Sequence, residues 1–199
     1  MIESMDWPIT FLDIADVMST RSHCCSKKVC AIAVKKGRII GTGINGSLSG
    51  QENCDDVFKD VDLSIPENRQ AHHDWFLKHE LHAEQNLIID LAKRGVSIED
   101  SAVFVSMQPC ETCARLLAQC KIREIYWRNF YDKGDLYETL DALVSNSFVY
   151  IQANTQEHKQ KIYDMLKEHQ NSLECNELED NWIIFYRRPR TMRYECQVV

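Results

Sequence analysis

The segment His82-Ala83-Glu84 is followed, about two dozen residues later, by Pro109-Cys110-Glu111-Thr112-Cys113. Together they supply an imidazole, two thiols and a carboxylate. One imidazole and two thiolates offer three ligands to a zinc ion, at about 2.0–2.3 Å, and leave a fourth tetrahedral position for water. An open position marks a catalytic zinc rather than a structural one. The residues after Cys110 favour a helix, so Cys110 and Cys113 are expected to open it, where exposed N–H groups and the macrodipole favour thiolate over thiol.

Each half of this set has a plainer reading. His82 alone could be a satisfied histidine, and Cys110-x-x-Cys113 alone a redox or structural-zinc pair. A redox pair does not need His-x-Glu nearby, and a closed zinc site needs a fourth ligand that this spacing does not supply. The combination matches the signature of zinc-dependent nucleobase deaminases, in which the glutamate is not a ligand. The chemistry it predicts is attack of water at C4 of a cytosine ring. Glu84 would take a proton from water, protonate ring N3, and later deliver a proton to the amino group leaving as ammonia.

These residues need a scaffold. A first helix is predicted from Ile9 to Met18, with Pro8 in its opening turn. Val29–Val34 and Ile39–Thr42, joined by Lys35-Lys36-Gly37-Arg38, read as a β-hairpin. The loop containing Gly41, Gly43, Asn45, Gly46, Ser47 and Gly50 suits unusual backbone angles or close approach to a ligand. A helix is predicted from about Asp74 to Arg94, capped by Gly95 and carrying His82 and Glu84. Strands are predicted at Ala102–Met107 and Ile122–Trp127, on either side of the Cys110 helix. Alternation of strand with helix points to an α/β sandwich around a single sheet. The chain is read as one domain, with a core over about residues 10–150. An extension over residues 151–199 contains a helix at Thr155–His169, a polar connection and a late strand at Trp182–Tyr186.

Bulk properties narrow the partners. The chain has 199 residues, 44% of them hydrophobic, and a formal net charge of -7. That charge opposes a large nucleic-acid footprint, which needs clustered Lys and Arg, but leaves room for a small anionic substrate in a local pocket. Arg187, Arg188, Arg190 and Arg193 form the one basic stretch that could serve a nucleic acid. The acidic start, interrupted by Pro8, predicts no secretory signal, and no segment reaches membrane-spanning length. Nine cysteines in such a chain suit a reducing, cytoplasmic compartment and metal or catalytic use of thiols.

Beyond the zinc signature, Cys25-Ser26-Lys27-Lys28-Val29, Gly37-Arg38-Ile39-Ile40, Gly43-Ile44-Asn45-Gly46-Ser47 and Tyr131-Asp132-Lys133 occur in an order that resembles deoxycytidylate deaminases, the bacteriophage members above all. The resemblance covers about residues 10–135. It implies a cytidine-deaminase-like three-layer α/β/α sandwich around a central mixed five-stranded sheet, and hydrolysis of dCMP to dUMP for thymidylate synthesis. It also implies a homohexamer, activation by dCTP, inhibition by dTTP and, for a viral protein, a setting in the host cytoplasm. By position, Asn45 would hydrogen-bond the deoxyribose, Tyr131 would pack on the cytosine, and Lys133 would assist the 5′-phosphate. Viral relatives carry a second, structural zinc, and the matching positions are Cys24, Cys54, His72 and Glu80. That zinc would pin the Gln51–His79 insertion against the catalytic helix.

This chain departs from the family pattern at four positions. Cys30 stands for a small glycine, Gln108 precedes Pro109-Cys110, and Ile44 and Leu48 replace tyrosine and proline. The first two alter the pocket edge, the last two the nucleotide-regulation loop. Three rival readings remain at this stage: a deaminase acting on dCTP as well as dCMP, an editor of single-stranded nucleic acid, and a non-catalytic regulator that keeps the zinc fold.

Overall fold

The computed structural model describes residues 6–169 and 173–187. Its elements, in chain order, are α1 (Asp6–Ser19), β1 (Cys30–Lys35), β2 (Arg38–Ile44), β3 (Gly46–Ser47), α2 (Cys54–Val57), α3 (Pro66–His79), β4 (Glu80–Leu81) and α4 (Ala83–Lys93). There follow β5 (Ala102–Val105), α5 (Glu111–Gln119), β6 (Glu124–Trp127), α6 (Leu136–Leu143), β7 (Phe148–Gln152), α7 (Gln156–Glu168), β8 (Glu174–Glu177) and β9 (Trp182–Tyr186).

Alternation along the strands builds the layers. In β1, Ala31 and Ala33 face a core completed by Leu87 and Leu91 of α4, Leu117 of α5 and Leu140 of α6. Cys30, Ile32 and Val34 face the opposite way, onto Phe11, Leu12 and Ala15 of α1. Period-two strands with both faces apolar must be covered on both sides, so helices flank the sheet. Arg128, just after β6, pairs with Asp13 and Asp16 and fixes α1 across the sheet. The hairpin turn follows from its sequence: Lys36 and Gly37 have φ of 52° and 72°, the positive pair that a tight two-residue connection requires.

The sheet order is β2-β1-β5-β6-β7-β9-β8, with β5, β6 and β7 parallel and the other pairings antiparallel. The class is the expected α/β one, but the sheet has 7 strands rather than five. The two extra strands are β9, anticipated at Trp182–Tyr186, and β8, which lies in the stretch expected to be a polar connection. Glu174-Cys175-Asn176-Glu177 shows no apolar alternation because it is an edge strand. Its pairing is templated by β9, and among its side chains Cys175 packs against the core.

The helix expected over Asp74–Arg94 is broken. α3 ends at His79, Glu80–Leu81 pairs with Gly46–Ser47 as β4 on β3, and α4 restarts after His82. His82 begins the second helix as its N-cap, and its N–H donates to Gln85 Oε1 at 2.8 Å. Glu80 and His82 therefore do not share a helix. Among the described residues, no helix is long and apolar enough to cross a membrane. Arg188, Arg190 and Arg193 lie outside the described residues, and Arg187 pairs with Asp141 at 2.9 Å.

Gly43 shows how closely the scaffold holds the site. A Cβ there would lie 2.2 Å from Ala83 O and 2.3 Å from Leu87 N, both backbone atoms of α4. The close approach the glycines permit at Gly43 is therefore to the helix that follows His82, not to a ligand. Asn86 Nδ2 seals the contact by donating to Ile44 O at 2.8 Å. Gly43→Ala must push β2 off α4, so a loss of about 1–3 kcal/mol or more is expected, read as a lower denaturation midpoint. Turnover should fall with it, because the displaced helix begins with Ala83 and Glu84.

Candidate active site and metal centres

Two helix N-termini converge on one point. His82 is the N-cap of α4, Glu84 lies in its first turn, Cys110 is the N-cap of α5 and Cys113 lies in the first turn of α5. His82 Nδ1 is 3.6 Å from Cys110 Sγ and 3.5 Å from Cys113 Sγ. Ligands on a tetrahedral zinc at ordinary Zn–N and Zn–S lengths stand about 3.5–3.8 Å apart, so the side chains fit the ion without rearrangement. The positive ends of both helices also favour the thiolates and the buried carboxylate.

The two thiols differ in proton affinity and are joined by a hydrogen bond. Cys110 is held down to about 4, chiefly by the hydrogen bond from Cys113 and, against the cost of burial, by His82. Cys113 is pushed up by the same bond and by burial. His82 is raised by its hydrogen bond to Cys110, and Glu84 is raised by complete burial. A metal takes the place of the shared proton, which is the usual coupling between thiolate ligation and proton release.

A second group lies nearby: Cys24, Cys54 and His72 are all buried, and their ligand atoms lie within 4.8 Å of one another. Cys54 Sγ is 3.2 Å from His72 Nε2. Glu80, the fourth position that the resemblance implied, is not part of that three-residue group. It is 92% buried, as its 8% exposure shows, and neither carboxylate oxygen has a hydrogen-bond partner. Burial raises its proton affinity, and the two neighbouring thiols lower it. The two thiols and the imidazole could together hold a metal ion, and the orphaned buried carboxylate on β4 has the chemistry of a fourth ligand. Burial holds His72 below its usual value, which favours the neutral, ligating imidazole.

A cavity of about 380 Å³ opens beside the first cluster, lined by His82, Glu84 and Cys110 together with Asn45, Tyr131 and Lys133. The structure therefore brings the sequence-predicted substrate residues to the same space as the metal ligands. Cys113 is fully buried and is not part of that lining. Asn45 has a further duty that its motif does not reveal. Its Oδ1 accepts from Val29 N at 2.8 Å and its Nδ2 donates to Lys27 O at 3.0 Å, so it also clamps the segment before β1. One further donor and one further acceptor direction of the amide remain for a ligand.

Sequence reasoning missed part of the wall. Arg69, His73, Phe76 and Leu77 of α3 line the cavity, as does Lys27, while Gln108 lies in the lining as its place at the pocket edge led one to expect. The signal was present: positions 69, 73, 76 and 77 recur at helical spacing on one face, beside His72. Lys27 Nζ meets Asp132 Oδ2 at 3.4 Å across the mouth. Cys24 and His72 also reach this lining, so the second cluster borders the first cavity.

Comparison with known proteins agrees with this geometry. Residues 5–129 match the family described as "Cytidine and deoxycytidylate deaminase zinc-binding region". The deoxycytidylate deaminase of Enterobacteria phage T4 is 37% identical over 152 residues, covering 63% of this chain and 79% of that protein. The enzyme of the same name from Enterobacteria phage T2 is 36% identical over 152 residues, covering 63% and 81%. Among solved structures, the dCMP deaminase of cyanophage S-TIM5, in complex with dCMP and dUMP, superposes with a TM-score of 0.57 at 30% identity. That match covers 72% of this chain and 94% of that one. On the fold, the Cys and His clusters and these matches together, the chain belongs to the cytidine and deoxycytidylate deaminase family, whose shared region binds zinc.

Proposed function

We propose that this chain hydrolyses dCMP to dUMP and ammonia, with His82, Cys110 and Cys113 holding a catalytic zinc and Glu84 moving the protons. The observation that carries the reading is the position of Glu84. It is buried in the first turn of α4, beside a three-ligand cluster and lining the cavity that also contains Asn45, Tyr131 and Lys133. When bound, the zinc supplies a Lewis acid that makes a water easier to deprotonate near neutral pH. The Glu84 carboxylate accepts that proton and passes it to ring N3, while a C4–O bond forms. It then takes the remaining proton from the new C4 hydroxyl and delivers it to the exocyclic nitrogen as the C4–N4 bond breaks and the C4 carbonyl forms, so that one water enters for each ammonia released.

Tyr131 offers an aromatic face for the pyrimidine, and Asn45 the amide positions left over for the deoxyribose. Arg69 and Lys133, with Lys27 paired to Asp132, line the cavity of a chain whose net charge is -7. A local cationic mouth on an acidic protein suits a small phosphate ester better than a polynucleotide. Cys24, Cys54, His72 and Glu80 are read as a second, structural zinc site. A homohexamer in the host cytoplasm, activated by dCTP and inhibited by dTTP and supplying dUMP for thymidylate synthesis, is part of this reading as what the family resemblance implies.

Turnover of deoxycytidine, dCMP, dCTP and a cytosine-containing oligonucleotide by the zinc-replete protein tests the reading. A kcat/KM for dCMP about 100-fold above that for deoxycytidine is expected, because charge-assisted hydrogen bonds to a phosphate contribute about 1.5–3 kcal/mol each. Equal rates on dCMP and dCTP would make the enzyme bifunctional. Oligonucleotide turnover without dCMP turnover would overturn the proposal.

A further inference from the structure

We propose that Gln108 is the positioning residue of the substrate-facing loop at Asn129–Gly134, holding Tyr131 through its side-chain oxygen. The proposal rests on the dCMP reading for its substrate. Gln108 stands immediately before Pro109-Cys110, lines the same cavity as Glu84 and Tyr131, and is 3% exposed. Its backbone N donates to Asn129 O at 2.7 Å, and its Oε1 accepts from Tyr131 N at 3.4 Å. Two further ties fix the ends of the loop. Asn129 Nδ2 donates to Ser106 O at 2.7 Å, and Asp135 N donates to Glu111 Oε1 at 2.7 Å. Gln108 is the side chain that reaches Tyr131 itself.

The amide orientation is fixed by chemistry, since the atom facing the Tyr131 N–H must be an acceptor. The nitrogen is thereby turned away, and Gln108 Nε2 is buried with no partner. Its neighbour explains the glycine that follows: a Cβ on Gly134 would lie 2.8 Å from Tyr131 Cδ1 and 3.2 Å from Gln108 Nε2. Ring, carboxamide and glycine therefore pack as one unit. A buried, unpaired donor is unfavourable for folding, and such groups are retained where they serve a site. An apolar residue of the same length would suit the core better at this position. The presence of glutamine points to its oxygen.

Gln108→Met tests this directly, because it keeps the length and removes both the acceptor and the orphaned donor. First, wild-type turnover of dCMP must be seen; its absence would strike the dCMP reading and not the role of Gln108 in the loop. With turnover present, the KM for dCMP should rise about five- to tenfold, the loss of one positioning hydrogen bond, with kcat within about twofold. Zinc content should be unchanged and Tm equal to or above wild type. In a Tyr131→Ala background, Gln108→Met should add little further to KM, because the bond to the Tyr131 backbone N–H acts chiefly through the ring it places, which that background lacks. An unchanged KM, a lower Tm with kcat and KM lost together, or a full additional effect in the Tyr131→Ala background would each overturn the proposal.

Discussion

Glu84→Gln is expected to lower kcat on dCMP by about 10²–10⁴-fold, the usual contribution of a positioned acid–base group. The substitution preserves volume and hydrogen-bonding shape and removes the ability to accept a proton from water and return it to substrate. Glu84 is completely buried in the first turn of α4, and that burial raises its proton affinity. The neutral amide is cheaper to bury than a carboxylate, so Tm should hold or rise. Zinc content should be unchanged, since Glu84 is not among the three clustered ligands. Steady-state kinetics, metal analysis and a melting curve on the same preparation check all three expectations. A variant with wild-type kcat would remove Glu84 from the chemistry.

The second large effect separates the two metal centres. Cys113→Ala should lose one zinc per chain and reduce turnover at least about 10³-fold, since metal activation of water and substrate is worth several kcal/mol of barrier. Cys54→Ala should lose the other zinc and mainly stability, on the order of 4–5 kcal/mol, at the upper end for a single substitution. The reason is structural. Cys54, at the start of α2, and Cys24 cluster with His72 of α3, and Cys54 Sγ also accepts from Cys25 N at 3.3 Å. Without a metal, Glu80 keeps an unpartnered buried carboxylate. Because α3 also carries Arg69 and His73 to the cavity, the Cys54 variant should show a raised KM in whatever protein remains folded. Equal loss of kcat with unchanged stability in both variants would contradict separate roles.

The chemistry was easier to read in the chain than the architecture around it. His82, Glu84, Cys110 and Cys113 stand out because ligand type and spacing are local properties, and α5 begins after Cys110 as the residues indicate, whereas α4 begins at Ala83 and not at Asp74. The break at Glu80–Leu81 was not legible, because the apolar pattern runs on while the pairing with Gly46–Ser47 that interrupts it is long-range. β8 was hidden for the same reason: its polar side chains suit an edge, and its strand character comes from β9. Gly43 looked like a loop or ligand-approach glycine, yet its constraint is the backbone of α4. Cys24, Cys54 and His72 of the second cluster are scattered along the chain, and only resemblance linked them before the fold did; as a ligand, Glu80 is linked to them by resemblance alone. Arg69 and His73 of the cavity wall escaped notice because α3 itself had been placed too late in the sequence, from Asp74 onward, whereas it starts at Pro66.

The central claim is zinc-dependent hydrolysis of dCMP, and the most direct measurement is simultaneous quantitation of ammonia and dUMP from dCMP. It should be made on the protein carrying its full zinc complement. The prediction is one ammonia per dUMP, at a rate that collapses in Glu84→Gln at unchanged zinc content. A folded, zinc-replete wild-type protein that releases neither product from dCMP would contradict it.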